Sequence, residues 1–258
     1  MNIAVCISSR LRSSWRISIP HIINYFKQYD ANVDYFVTIS DVSLNRYKIW
    51  GESYISNIKD QDIEDLKIML SPKILYVEKN YKDIDNILNK YDNVDQLKKD
   101  NYYYIYQLFS SELCNNLKNE YSINNKTDYD LVFKIRPDMI LVNTISSNDI
   151  INHLNNLEDG IYAYEYTETM MADCFFYGKN NIINKYFKNA TDKVVQHFLE
   201  TNDEIRAEYG YRLLAKLSNV ELKSIHNRIC GICIRKSATS NMTIDELKRL
   251  ETNDELGC

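Results

Sequence analysis

Three arginines near the start of the sequence could bind a diphosphate group. Arg10, Arg12 and Arg16 follow a β-prone run at residues 3–7, which is typical of a strand buried on both faces. In an open parallel sheet, ligands bind beyond the carboxyl ends of the strands, where guanidinium groups suit phosphate oxygens. We therefore predict a phosphate-binding loop, with Trp15 placed to stack on a nucleobase or sugar. The alternative is a solvated loop with surface arginines.

A second apolar run, at residues 129–135, is followed by Arg136, Pro137 and Asp138. A carboxylate at the carboxyl end of a central strand could hold Mg²⁺ or Mn²⁺ against nucleotide phosphates, because these cations prefer oxygen ligands. The proline would fix the direction of Asp138. The alternative is that Arg136 and Asp138 form a structural ion pair that caps the strand.

Two further carboxylates are candidates for proton transfer. Asp173 precedes the apolar run at residues 174–178, so we predict it at a strand entrance, either forming a turn or pointing into a cleft. Glu208 lies in the first turn of a predicted helix. Its position suits either stabilisation of the helix dipole or service as a general base.

The elements that must position these residues alternate between strand and helix, which predicts an α/β fold with a mostly parallel sheet. Strands are predicted at 3–7, 33–39, 73–77, 129–135, 160–164 and 173–178, with a closing strand pair at 220–225 and 229–234. Helices are predicted at 17–29, 62–70, 102–120, 182–199 and 205–217, and a polar loop at 8–16. We predict one domain over residues 1–236 and a C-terminal helical tail over 237–258, started by a capping box at 243–246.

Composition excludes several classes of protein. The 258 residues carry a formal net charge of -5, so there is no basic field of the kind that a nucleic-acid binder shows. No apolar run approaches the roughly 18–20 residues that span a bilayer, and the N-terminus lacks a secretory leader. The six cysteines lie mostly within apolar runs, as reduced core thiols do. We expect a cytoplasmic protein with no transmembrane segment and no nucleic-acid partner.

Taken in order, four segments resemble the motifs of small GT-A-type glycosyltransferases found in bacterial polysaccharide clusters and large DNA viruses. They are residues 3–16, residues 129–138, residues 173–178, and Glu208 with its helix. The resemblance implies a GT-A-like, Rossmann-like fold and a nucleotide-sugar donor linked through UDP or GDP. It also implies a glycan acceptor and a divalent cation, Mn²⁺ or Mg²⁺.

The resemblance also implies roles for single residues. Arg10 and Arg12 match loop residues near the donor, and Asp138 matches a metal-binding carboxylate. This chain departs from the pattern at Arg136, where an Asp-x-Asp motif would have its first carboxylate. Asp173 and Glu208 match acceptor-side positions, and either could be the base of an inverting transfer. Asp138→Ala is then expected to abolish transfer and to leave the fold intact.

Other interpretations remain open at this point. A non-catalytic nucleotide-sugar or glycan-binding module would share the fold, and the Arg136 departure is its best support. A nucleotidyltransferase is disfavoured, because no glycine occurs before Gly51 to form a phosphate-binding loop. Cys230, Cys233 and His226 offer too few ligands for a zinc site, which favours core packing. The tyrosines at 102–104 are typical of a half-buried helix face.

Overall fold

A seven-stranded sheet runs through the chain and carries helices on both faces. The computed structural model describes residues 1–11, 14–46, 53–79, 82–91, 94–167, 170–201, 207–225 and 229–233. The strands are β1 (Asn2–Arg10), β2 (Asn32–Ser40), β3 (Val42–Arg46), β4 (Ser53–Asn57), β5 (Ile74–Glu78), β6 (Leu131–Ile135), β7 (Met139–Asn143), β8 (Ile161–Thr167), β9 (Met170–Lys179), β10 (Leu222–Ser224) and β11 (Ile229–Cys233). The helices are α1 (Trp15–Lys27), α2 (Asp60–Leu70), α3 (Lys82–Leu88), α4 (Val94–Asn125), α5 (Ser147–Asn155), α6 (Asn180–Phe187), α7 (Ala190–Thr201) and α8 (Ala207–Leu217).

The strand order of the main sheet is β10-β8-β9-β6-β1-β2-β5. All neighbouring strands in it are parallel except those that pair with β9, which runs against both β6 and β8. The predicted α/β class, a mostly parallel sheet flanked by helices, is confirmed.

The sheet has a topological switch point between β1 and β6. From β1 the chain moves outward through β2 to β5, and it then returns to form β6 on the other side of β1. Ile7 lies opposite Ile135 across the β1–β6 pair, so the two strands end at the same edge. Crevices at such switch points are where open α/β sheets bind ligands.

β1 is buried on both faces, as its continuous apolar run predicts. Ala4 and Cys6 pack into the core beneath α4, whereas Ile3, Val5 and Ile7 pack into the core beneath α1. Because successive strand residues point to opposite faces, an alternating pattern would have left one face solvated. A strand apolar at every position therefore requires helices on both sides of the sheet.

The predicted polar loop at residues 8–16 is wrong in its extent. β1 continues through Arg10, and α1 begins at Trp15. Ser8 is completely buried beneath α4. Its hydroxyl lies 2.9 Å from that of Ser111 on α4, and this hydrogen bond makes the burial of a polar side chain possible. Polar residues can extend a buried strand when a neighbouring element satisfies their hydrogen bonds.

Two more predictions about the C-terminal half are wrong. The predicted strands at 220–225 and 229–234 do not pair with each other: β10 joins β8 in parallel, and β11 pairs with β7 in a separate two-stranded sheet. The single helix predicted at 182–199 is divided into α6 and α7 at Asn189, which has a φ of 53°. A left-handed residue cannot continue an α-helix, and asparagine tolerates that conformation better than most residues.

The predicted C-terminal tail lies outside the described residues, as does the proposed domain boundary at residue 236. Within the residues that the structure describes, no helix is both long enough and apolar enough to span a bilayer.

Candidate active site

The switch point brings together the ends of β1 and β6. Arg10 is the last residue of β1, and Asp138 follows β6 by three residues. The Ser18 hydroxyl on α1 donates a hydrogen bond to the Pro137 carbonyl, which fixes the turn after β6 against the first helix. The two segments predicted to converge on a ligand therefore do lie at the same edge of the sheet.

Arg10 is buried at this edge, with 5% of its surface exposed. Its guanidinium carbon lies 5.7 Å from the ring centroid of Tyr106, which comes from α4. This distance is within the range of a cation–π contact, which holds the guanidinium against an aromatic face.

Glu78, which was not among the candidates predicted from the sequence, lies level with Arg10 across the sheet. Arg10 is opposite Ser40 at the end of β2, and Ser40 is opposite Glu78 at the end of β5. Burial raises the pKa of the Glu78 carboxyl to about 7, although the Ile84 amide donates to it at 3.2 Å. The signal that could have found it is its place directly after the third predicted strand, residues 73–77.

Arg136 links two buried carboxylates. Its Nε and Nη2 donate to the two oxygens of Asp138 at 2.9 and 2.8 Å, and its Nη1 donates to Asp173 at 3.2 Å. Lys134 donates to the main-chain carbonyl of Asp173. We refer to Lys134, Arg136, Asp138 and Asp173 as the charge cluster. At most about a tenth of each of the three bridged side chains is exposed.

Asp173 lies inside β9 and not at a strand entrance, which corrects the prediction. It still reaches the ligand-binding edge, because β9 runs antiparallel to β6 and begins where β6 ends: the Arg136 amide donates to the Cys174 carbonyl at 2.9 Å. The Gln107 amide on α4 donates to the Asp173 carboxylate at 2.6 Å. These partners make an acidic residue compatible with an otherwise apolar strand.

The carboxyl of Asp173 is held ionised. Burial alone would raise its pKa, but the charges of Arg136 and Lys134 and the hydrogen bond from Gln107 outweigh burial and lower it. A carboxylate whose oxygens are already engaged, and whose pKa is low, is a weak proton acceptor.

Lys134 is almost completely buried in the charge cluster, with 1% of its surface exposed. Burial lowers the pKa of its ammonium group to about 8, against the opposing influence of Asp173. Its Nζ lies 5.0 Å from the ring centroid of Tyr211 and 5.5 Å from that of Phe176. The aromatic faces compensate in part for the water that this cation has lost.

A buried polar network connects the end of β1 with the charge cluster. The Ser8 hydroxyl lies 2.9 Å from that of Ser111, which lies 3.0 Å from the Tyr211 hydroxyl. Tyr211 donates to the Gln107 carbonyl at 3.3 Å, and the side chain of Gln107 binds Asp173. Hydrogen-bonded chains of this kind restrict the positions of their members.

Glu208 belongs to the same neighbourhood through Tyr104. It lies half-buried in the first turn of α8. The pKa of the buried Tyr104 hydroxyl is raised well above its usual value by burial first, then by Tyr211 and by the charges of Asp173 and Glu208. The charges of both predicted acceptor-side carboxylates thus act on one tyrosine hydroxyl.

Gly210 is required where α8 crosses α4. A Cβ atom at this position would lie 1.9 Å from the Tyr104 hydroxyl. Alanine in place of glycine inside a helix ordinarily stabilises by up to about 1 kcal/mol, but this overlap forces α8 away from α4. We expect Gly210→Ala to lower the free energy of unfolding by about 1–3 kcal/mol in urea denaturation.

Gly160→Ala is the matched control for this substitution. The three atoms nearest to its Cβ would all belong to the flexible stem of Lys223, at 3.0 Å, so we expect little change in stability. Equal stability of the wild type and Gly210→Ala would contradict the tight crossing.

The remaining residues of the predicted phosphate loop lie elsewhere. Arg16 is turned toward α2, where it forms ion pairs with Asp62 at 2.8 Å and Asp65 at 2.6 Å. Trp15 is buried, and the Arg16 guanidinium lies 4.4 Å from its ring centroid. Arg12 lies outside the described residues.

The charge cluster does not fit a divalent cation. Both oxygens of Asp138 are engaged by Arg136, and Arg136 also occupies the space between Asp138 and Asp173. Among the described side chains, no group of three or more His, Cys, Asp or Glu residues is arranged to hold a metal. The expectation that Asp138 is a metal ligand therefore disagrees with this geometry.

Two other groups of residues considered in the sequence, the Cys230–Cys233 pair with His226 and the tyrosines at 102–104, lie largely outside the described residues. Cys230 and Cys233 belong to the backbone of β11, but their side chains and His226 are outside the described residues. Of the three consecutive tyrosines on α4, Tyr104 is buried against α8, and the side chains of the other two are not described.

Comparisons with known proteins yield a structural likeness alone. No protein-family model matches the chain, and no curated protein matches its sequence. The chain is similar to the solved structure of the glycosyltransferase GlyE of Streptococcus pneumoniae TIGR4, with a TM-score of 0.41 and 10% identity over 88% of this chain and 45% of GlyE. For the apo form of GlyE the TM-score is 0.41, with 9% identity over 86% of this chain and 44% of that one. The chain thus spans less than half of the length of these structures.

Proposed function

We propose that this chain is a glycosyltransferase that moves a sugar from a nucleotide-diphospho-sugar to a hydroxyl of a glycan acceptor. The observation that supports the proposal most directly is that Arg10 and the charge cluster lie at the same sheet edge, at the switch point of a mostly parallel sheet. Arginines at the carboxyl ends of β1 and β6 suit a diphosphate, and ionised carboxylates beside them suit a sugar and an attacking hydroxyl.

On the donor side, transfer requires stabilisation of a departing nucleoside diphosphate. Negative charge grows on the diphosphate as the bond to the anomeric carbon breaks, and positive charge grows on the sugar ring. Arg10 and Arg136 are held in fixed positions by Tyr106 and by the two carboxylates, respectively. Preorganised charges of this kind stabilise the transition state without reorganising during the reaction.

On the acceptor side, we assign Glu208 as the base of an inverting transfer. It would take the proton of the acceptor hydroxyl while that oxygen attacks the anomeric carbon from the face opposite the diphosphate. Asp173 is the weaker candidate, because Arg136 and Gln107 engage its oxygens and its pKa is lowered. In the proposal, Asp173 orients the donor sugar, and its negative charge stabilises the positive charge that grows on the sugar ring.

A non-catalytic nucleotide-sugar or glycan-binding module is the second candidate. It is favoured by the closed ion pairing of the charge cluster, in which Asp138 and Asp173 satisfy Arg136 without a ligand. Buried ion pairs that neutralise one another in this way also occur where charged residues have a structural role and no catalytic one.

One assay separates the two candidates. Thermal-shift measurements with UDP- and GDP-sugars identify a donor, because a ligand that binds only the folded state raises its melting temperature. The donor is then incubated with the protein, and free nucleoside diphosphate is followed by chromatography. A transferase releases it slowly even without acceptor, whereas a binding module stabilised by the same ligand releases none. The absence of any stabilising nucleotide sugar would count against the transferase and against a module that binds nucleotide sugars.

Arg10→Ala is expected to weaken the binding of the identified nucleoside diphosphate by about 10–150-fold in calorimetry. A hydrogen bond to a charged group contributes about 1.5–3 kcal/mol, which corresponds to that range. Lys67→Ala is the control for lost positive charge, since Lys67 is an exposed residue of α2 that pairs with Glu64. Unchanged affinity in Arg10→Ala would remove the donor site from the end of β1.

A further inference from the structure

The guanidinium of Arg136 is placed between two carboxylates in the way that a bridging cation would be. It contacts both oxygens of Asp138, at 2.9 and 2.8 Å, and Asp173 at 3.2 Å from the other side. Asp138 is 1% exposed, so it has almost no surface left for another ligand. The ionised groups that a metal would need are therefore already neutralised from within the chain.

We propose that Arg136 takes the place of a divalent cation at this site, so that nucleoside diphosphate binds here without metal. The part about nucleoside diphosphate rests on the proposed function. The exclusion of the cation from the two carboxylates does not, because it follows from the ion pairs alone.

Charge balance supports the replacement. The charge cluster has two positive side chains, Lys134 and Arg136, and two negative ones, Asp138 and Asp173. Its formal charge is zero when Lys134 is protonated. A divalent cation would add two positive charges within a few ångströms of Arg136 and Lys134, and like charges at such distances repel strongly in a site with little water.

Coordination chemistry leads to the same conclusion. Mg²⁺ requires six oxygen ligands in near-ideal octahedral geometry, and Mn²⁺ likewise prefers carboxylate, carbonyl and water oxygens. To offer its oxygens, Asp138 would have to release both hydrogen bonds from Arg136. The guanidinium would then remain buried beside the cation that displaced it, which is unfavourable on both counts.

A guanidinium can also perform the task that the cation has in phosphate binding. It keeps its charge at any physiological pH, so it attracts phosphate oxygens electrostatically while it stays paired with the two carboxylates. The turn that carries Arg136 and Asp138 lies beside the end of β1, where Arg10 is buried. Two arginines, one on each side of the switch point, can therefore share one diphosphate.

The first experiment tests the cation with the metal alone. Electron paramagnetic resonance of free Mn²⁺ is followed as wild type, Arg136→Ala and the double variant Arg136→Ala/Asp138→Asn are titrated into MnCl₂. We expect Arg136→Ala to bind Mn²⁺ at least tenfold more tightly than wild type, and the double variant to lose this gain. Tight Mn²⁺ binding by the wild type that Asp138→Asn removes would overturn the proposal, as would an Arg136→Ala protein that folds and gains nothing.

Circular dichroism shows whether each variant is folded. Should Arg136→Ala not fold, Arg136→Gln keeps a polar side chain between the carboxylates without the positive charge, and the same tenfold gain is expected of it. The titration of the wild type with Mn²⁺ does not depend on either variant and can overturn the proposal by itself.

The second experiment tests the nucleotide. UDP and GDP are titrated into the wild type by calorimetry, once with EDTA and once with Mn²⁺. Affinities that agree within threefold support the proposal, and a gain of more than tenfold with Mn²⁺ overturns it. If neither nucleotide binds under either condition, the proposed function fails, and the Mn²⁺ titrations still decide whether Arg136 excludes the cation.

Discussion

Glu208→Gln is expected to lower the rate of sugar transfer by about 10²–10⁴-fold, the usual contribution of a positioned general base. The substitution keeps the shape of the side chain but removes its ability to accept a proton. Because the base acts in the transition state and does not bind the donor, kcat should fall while the KM for the donor stays the same. Steady-state kinetics with varied donor concentration would measure both constants.

Glu200→Gln is the control for the loss of one negative charge, since Glu200 is exposed on α7. Asp173→Asn supplies the contrast. If Glu208→Gln kept wild-type kcat and Asp173→Asn abolished transfer, Glu208 would not be the base, and Asp173 would become the candidate in spite of its contacts with Arg136 and Gln107.

Asp138→Ala is expected to abolish transfer and also to lower the free energy of unfolding by about 3–5 kcal/mol. Removal of Asp138 leaves Lys134 and Arg136 buried with Asp173 as the single remaining negative partner in the charge cluster, and breaking a buried ion pair in this way accounts for that magnitude. The sequence alone predicts an intact fold for this variant, because it does not show that Asp138 is buried against Arg136. Urea denaturation and a transfer assay at a temperature where the variant is folded would separate the two effects.

Asp159→Ala is the matched control for this prediction. Asp159 pairs with Lys179 at 2.9 Å, but its side chain is 65% exposed. Exposed ion pairs contribute about 0–1 kcal/mol, so a small change is expected. If Asp138→Ala proved as mild as Asp159→Ala, the ion pair between Arg136 and Asp138 would not be the buried contact described above.

The edge of the sheet at which Arg10 and Asp138 lie could be predicted from the sequence, because it follows from local pattern and from the geometry of parallel sheets. Arg10 and Asp138 each follow an apolar run, and the carboxyl ends of parallel strands share an edge. The contacts of Asp173 could not be predicted in this way. Gln107 comes from a helix 66 positions away, and nothing in its local sequence distinguishes it from other polar residues of α4.

The exact end of β1 could not be predicted for a related reason. Ser8 and Arg10 are polar, so local composition favours a loop. Their burial depends on Ser111 and Tyr106, which α4 brings over the end of the strand. Tertiary partners therefore overrode the local preference at the point where the candidate site begins.

The reversed direction of β9 makes the candidate site sensitive to small insertions and deletions. Asp173 faces Arg136 only in the present alignment of β9 with β6, in which Ile135 lies opposite Phe175. A displacement of one residue would move every β9 side chain to the other face of the sheet. The pairing with β8 contains irregularities between Ala163 and Thr167, whereas the pairing with β6 is regular. We therefore expect a tolerated insertion or deletion in the β8–β9 hairpin to shift the pairing between β8 and β9. The pairing between β9 and β6, and with it the contact between Asp173 and Arg136, would stay unchanged.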